Sequence, residues 1–332
     1  MKKFLLLNTN VGEGIASHLS QFRSPVYGIA ALLIILFHAM GPVKEYWLSF
    51  FKYGYIGVDM YLMIGAFCLC YSFKRHSLKQ FYINRFLRIY PLWFFVCNLR
   101  TIYLLLSGGD VEWLKLIWGS TVIMPLLTGR GSCDCFTASI LILYLAFPLF
   151  YRVVMRYHSN LIFPLSLILS LIIMYLYPVH SWQLACFFCR IPVFVLGIIL
   201  YKQTLIRENV YPILFTLTIG FIYAIYTNQM FLITAMACPF FVGFLLYIFK
   251  HIEKYRFSLI ATKPLTYLGN RSLECYYGGW YTYLWNAYYS IPIIGILVYV
   301  GQTLIGMFLL NQVNIFFNNR IFNQYIKHYK SN

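Results

Sequence analysis

The chain has 332 residues, of which 61% are hydrophobic and 11% charged, with a mean hydropathy of +0.70. A soluble domain carries about a quarter charged residues, so this composition excludes one: too few polar side chains are present to cover a water-soluble fold. The formal net charge of +17 does not mark a nucleic-acid partner either. The basic residues sit in connectors between apolar stretches, where membrane topology and anionic lipid heads account for them. The opening MKKFLLLNTNVGEG carries two lysines and only a very short apolar run, which is not the build of a signal peptide.

Apolar stretches near the ~20 residues needed to cross a bilayer then recur at about 25–41, 54–73, 89–106, 113–128, 136–154, 161–177, 184–201, 210–227, 230–249, 272–290 and 291–317. Charge decides which of these cross. If all did, the connectors with Arg152/Arg156 and Lys202/Arg207 and the long one at 250–271 would face outside, against the preference of basic loops for the cytoplasm. Withdrawing 113–128 places every basic connector after the third span inside. That stretch is short, contains Lys115 and follows Asp110 and Glu112. The expected fold is therefore all-α: a polytopic membrane helix bundle of ten transmembrane helices with one non-crossing segment near 113–128. It forms a single domain over 1–332 (core about 24–317), with both termini cytoplasmic. Only Lys44, Lys52, Lys115 and Arg130 of the 26 basic residues then face outside, and Arg100 and Arg190 lie in spans.

Three N-terminal stretches, YGIAALLIILFH (Tyr27 to His38), GVDMYLMIGAF (Gly57 to Phe67) and FYINRFLRIYP (Phe81 to Pro91), together resemble the acyltransferase 3 family of membrane acyltransferases. The first is a helix ending in histidine, the second is similar to the family's GVDxFFxxSGF segment, and the third carries RxxRIxP as Arg85, Arg88, Ile89 and Pro91. LYLAFPLF (Leu143 to Phe150), RIPVFVLGIIL (Arg190 to Leu200) and LGNRSLECYYGGW (Leu268 to Trp280) are weaker echoes. The resemblance implies ten membrane helices, a cytoplasmic acyl-CoA donor (usually acetyl-CoA) that is substrate rather than bound cofactor, and a glycan or lipid-linked saccharide acceptor. It points to the inner, cytoplasmic membrane of a bacterium. Three positions depart from the pattern. Tyr27 stands where the family has arginine, with Arg23 one turn earlier; Ala66 stands within the SGF segment; Gly279 replaces a late histidine.

Acyl transfer to a hydroxyl needs a base to deprotonate the attacking acceptor. His38 is the only histidine well inside a predicted span, and an intramembrane ionisable residue is a functional hypothesis by default; the alternative is a helix-end imidazole bonded to a backbone carbonyl. Asp59 falls at similar depth on the next, antiparallel span, where it would orient that imidazole or cap a turn after Gly57. Arg85 and Arg88, three apart before the third span, have the spacing to fork onto donor phosphates or anchor lipid heads. Arg23, Tyr27 and Arg190 are possible cavity residues, with Arg190 also a partner for Asp59; Arg100 reads as snorkelling, and Glu274 as paired with a basic connector. Cys133 and Cys135 share the outer side with Cys186 and Cys189, which leaves one cross-link open, and no metal site is expected. The rival reading is a transporter or flippase using the same buried charges, and a third is an inactive family relative.

Overall fold

The computed structural model describes residues 2–40, 46–106, 135–176, 186–255, 257–279 and 292–317. Within them the chain forms eleven α-helices: α1 (Lys2–Met40), α2 (Ile56–Arg75), α3 (Leu78–Leu106), α4 (Cys135–Arg156), α5 (Ser159–Leu176), α6 (Arg190–Gln203), α7 (Tyr211–Tyr226), α8 (Met230–Ile252), α9 (Phe257–Asn270), α10 (Ser272–Gly278) and α11 (Pro292–Phe317). A 3-10 helix, Tyr46–Tyr55, leads into α2, and no strand occurs among the described residues. A lipid-facing backbone must satisfy its own hydrogen bonds, which a helix does within one segment. The same setting tolerates prolines inside helices, here Pro25, Pro91, Pro148, Pro164 and Pro239.

Among the described residues, six segments are long and apolar enough to cross a membrane: Ser17–Ala39, Phe50–Arg75, Phe136–Arg156, Cys186–Gln203, Met230–Ile252 and Gly295–Phe317. Ser159–Tyr175 and Tyr211–Tyr226 are shorter apolar helices. The protein is thus an all-helical integral membrane protein. The segment 113–128 lies outside the described residues.

Helices α2 and α6 form the centre. Both are buried along most of their length, and α2 packs on α1, α6 and α8. The outer helices leave apolar side chains uncovered, such as Leu165, Ile168 and Ile172 on α5, Phe215 and Ile222 on α7, and Ile305 and Phe308 on α11. Exposed faces of this size are excessive in water and natural against lipid tails.

Two connectors differ from the sequence reading. The expected 250–271 loop contains helix α9, which packs along α1 because two glycines allow it. A Cβ on Gly28 would strike the Leu265 carbonyl, and one on Gly269 would strike that of Ser24. Small residues that let backbones approach are the usual device of helix packing in a membrane. The second is the stretch with Arg85 and Arg88, which is helical from Leu78 onward. The apolar pattern marks where the hydrocarbon begins and not where the helix begins, so both helical segments looked like loops.

Candidate active site

Arg23, Tyr27, Arg85 and Arg88 are brought together on one cavity of about 160 Å³. Helical spacing explains how each helix contributes. Arg23 and Tyr27 are four apart on α1, and Arg85 and Arg88 three apart on α3. Tyr61, Gly65 and Cys68 form an i, i+4, i+7 stripe on α2. Tyr144 of α4, Gly269 and Asn270 at the end of α9, and Ser272 and Tyr276 of α10 complete the lining. Ser24 donates to the Asn270 side-chain oxygen at 2.8 Å, pinning α1 to the end of α9.

Among the described residues no carboxylate lines this cavity. Arg23 Nη1 reaches the Cys68 sulfur at 3.6 Å, and Arg85 sits over the Phe81 ring at 5.8 Å. The Arg85 Nε is buried without a hydrogen-bond partner among the described residues. Three guanidinium groups facing one space have the charge and the forked donors that suit phosphate or another multivalent anion.

A second, much smaller pocket of about 10 Å³ lies along α1. His38 lines it, with Ala31, Ile34 and Ile35 on the same helix, Cys275 and Gly279 after α9, and Tyr299 and Thr303 of α11. The Phe37 ring meets the imidazole edge-on at 5.0 Å. Arg23, Tyr27, Ala31 and His38 follow one stripe of α1, so that helix carries the basic cavity and the histidine roughly 22 Å apart along its axis. Tyr61, Ser272 and Tyr276 line both spaces. The small pocket and the basic cavity therefore share a wall.

Asp59 and Arg190 occupy a different, fully buried cluster. Arg190 Nε lies 3.9 Å from Asp59 Oδ1, each side chain 1% exposed. The guanidinium stands 4.7 Å from the Tyr55 ring and 6.0 Å from the Phe136 ring, and the Tyr55 hydroxyl meets the Cys186 sulfur at 2.5 Å. Burying two charges is costly unless they are paired, and the aromatic faces add cation–π attraction. Arg190 is thus placed with Asp59 and not on the basic cavity.

Glu274 is buried and accepts a 2.6 Å hydrogen bond from Asn314 of α11, which corrects the expected pairing with a basic connector. Cys189 carries a free thiol; Cys133 and the side chains of Cys135 and Arg100 lie outside the described residues. Sequence reasoning missed Tyr61, Ser272, Tyr276, Tyr299 and Thr303. The stripe Tyr61, Gly65, Cys68 was readable from spacing, but its partners on α10 and α11 come from distant parts of the chain.

A bundle of apolar helices around a basic cavity, with a histidine pocket against its wall, defines an integral membrane protein with a polar site inside the bundle. The chain belongs to the acyltransferase 3 family: the family's model, described as an acyltransferase domain, matches residues 28–312. It is accordingly a membrane acyltransferase. Comparison with curated proteins and with solved structures returned no match.

Proposed function

We propose that the protein is an O-acetyltransferase that moves an acetyl group from cytoplasmic acetyl-CoA to a hydroxyl of a cell-surface polysaccharide or lipid-linked sugar. The observation that carries this reading is the shared wall between the arginine cavity and the His38 pocket. Arg23, Arg85 and Arg88 hold the phosphates of the donor. Its pantetheine arm then points along α1 towards His38, where the acceptor arrives. His38 takes the proton of the acceptor hydroxyl as its oxygen attacks the thioester carbonyl carbon. The C–S bond breaks, and the departing thiolate of coenzyme A takes a proton back from the imidazolium. No covalent enzyme intermediate is needed.

Ten crossings fit this scheme, in the inner membrane of a bacterium with both termini cytoplasmic. The six long and two shorter apolar helices would supply eight and α3, with its basic first half, a ninth; the tenth, expected at 272–290, lies mostly outside the described residues. Two arginines at the cytoplasmic start of α3 then meet a cytoplasmic nucleotide. The test is purified full-length protein incubated with acetyl-labelled acetyl-CoA and an envelope glycan fraction. Label should leave the donor for a glycan hydroxyl, and the His38→Gln variant should lose this. Transport of label without thioester cleavage would replace this reading with a transporter.

A further inference from the structure

The wall between the two spaces has a centre. The Tyr61 hydroxyl donates to the Tyr27 carbonyl of α1 at 2.8 Å, its ring lies 4.9 Å from that of Tyr27, and the Ser272 side chain stands beside it. On one side is the basic cavity, and on the other the His38 pocket, too small to admit more than about one water. One turn along α2, Gly65 lines the same basic cavity, where a Cβ would be in ordinary contact with the Tyr144 and Tyr27 hydroxyls at 3.9 and 4.0 Å. A tyrosine ring held by its hydroxyl to Tyr27 and Ser272, beside a cavity of about 160 Å³, has two places to be.

We infer that Tyr61 is a gate. At rest, latched to the Tyr27 carbonyl, it closes the His38 pocket against the basic cavity; opened, its ring moves off into the basic cavity and joins the two spaces. The identity of what opens it, the thioester end of the donor, rests on the acyl-transfer reading above; the closure itself does not. Closure keeps water from the base until the thioester fills the passage, so that transfer to the acceptor outruns hydrolysis. Tyr61 is in this sense a positioning residue that sets when the base is reached.

Two native thiols report on the two sides. Cys68 lines the basic cavity, and Cys275, 1% exposed, lines the His38 pocket. The experiment treats the purified full-length protein in nanodiscs with an anionic methanethiosulfonate, which the arginines attract, and follows each cysteine by peptide mass spectrometry. In the wild type Cys68 should react and Cys275 should be slower by more than about tenfold. Tyr61→Phe removes the latch but keeps the ring. It should speed Cys275 labelling by at least roughly two- to tenfold, the population shift expected from losing the hydrogen bonds of its hydroxyl, with Cys68 unchanged. Tyr61→Ala should speed it more than Tyr61→Phe does. Equal labelling of the two thiols in the wild type, or slow labelling of Cys275 in both variants, would overturn the gate. Coenzyme A added beforehand should shield Cys68. If it does not, while the variants still unmask Cys275, the donor assignment fails and the closure stands.

Discussion

Arg190 and Asp59 face each other at 3.9 Å with neither side chain reaching solvent. Breaking one partner of such a pair leaves a buried charge uncompensated, at a cost of about 3–5 kcal/mol. Asp59→Asn should therefore lower the thermal midpoint sharply, and the double variant Asp59→Leu/Arg190→Met should recover most of the loss. Additive destabilisation in the double variant would show that the two residues are not coupled.

His38 carries the chemistry in the proposed mechanism, and a general base contributes ~10²–10⁴-fold. His38→Gln keeps size and a hydrogen-bonding end but cannot take a proton, so acetyl transfer should fall by that factor. Acetyl-CoA affinity, measured by isothermal titration, should stay within a few-fold, because the arginines line the basic cavity and not the His38 pocket. Near-normal transfer would make the imidazole structural.

The three cavity arginines should act on donor affinity. Each charge-assisted contact is worth about 1.5–3 kcal/mol, so Arg85→Ala or Arg88→Ala should weaken acetyl-CoA binding by roughly one to two orders of magnitude. Arg23→Ala should do the same. An unchanged dissociation constant in the triple variant would leave these residues as lipid anchors.

Gly279 lines the His38 pocket, and a Cβ there would come within 2.6 Å of the Tyr299 hydroxyl. Gly279→Ala should push that hydroxyl into an already small space and lower turnover, with donor affinity little changed. The ratio of kcat to KM effects in a transfer assay tests this. A fall in donor affinity alone would place Gly279 elsewhere in the reaction.

Outside the spans, Glu208 joins α5 to the α6–α7 loop. It accepts from Lys202 Nζ at 2.7 Å and from the Ser159 N–H at 2.8 Å. Partial burial pushes its carboxyl up, but those hydrogen bonds together outweigh it and hold it below the usual range. A carboxylate depressed in the folded state stabilises fully above its unfolded value and loses that contribution as pH falls through the folded one. Glu208→Gln should cost about 1–3 kcal/mol at neutral pH. The gap in thermal midpoint from the wild type should close as pH drops from about 5 to about 3. A gap independent of pH would mean that the charge of Glu208 is not what holds the loop.

The helical class and the membrane setting were readable from the chain alone, because period and length of apolar runs are local properties. So were His38, Asp59, Arg85 and Arg88 as residues to watch: ionisable groups in or beside apolar stretches are conspicuous against so few charges. The i, i+3 and i, i+4 spacings even told which of them share a helix face. What spacing leaves open is which face meets which. Asp59 had two partners available by depth, and only the packing of α6 against α2 sets Arg190 beside it. Tyr61 drew no notice in a chain rich in tyrosine. It becomes a wall only because α10, more than two hundred residues later, brings Ser272 and Tyr276 to its side. Local pattern determines what a helix is, since it depends on neighbours in sequence. Contacts between helices depend on backbone approaches such as Gly28 against α9, and those decide what a side chain can do.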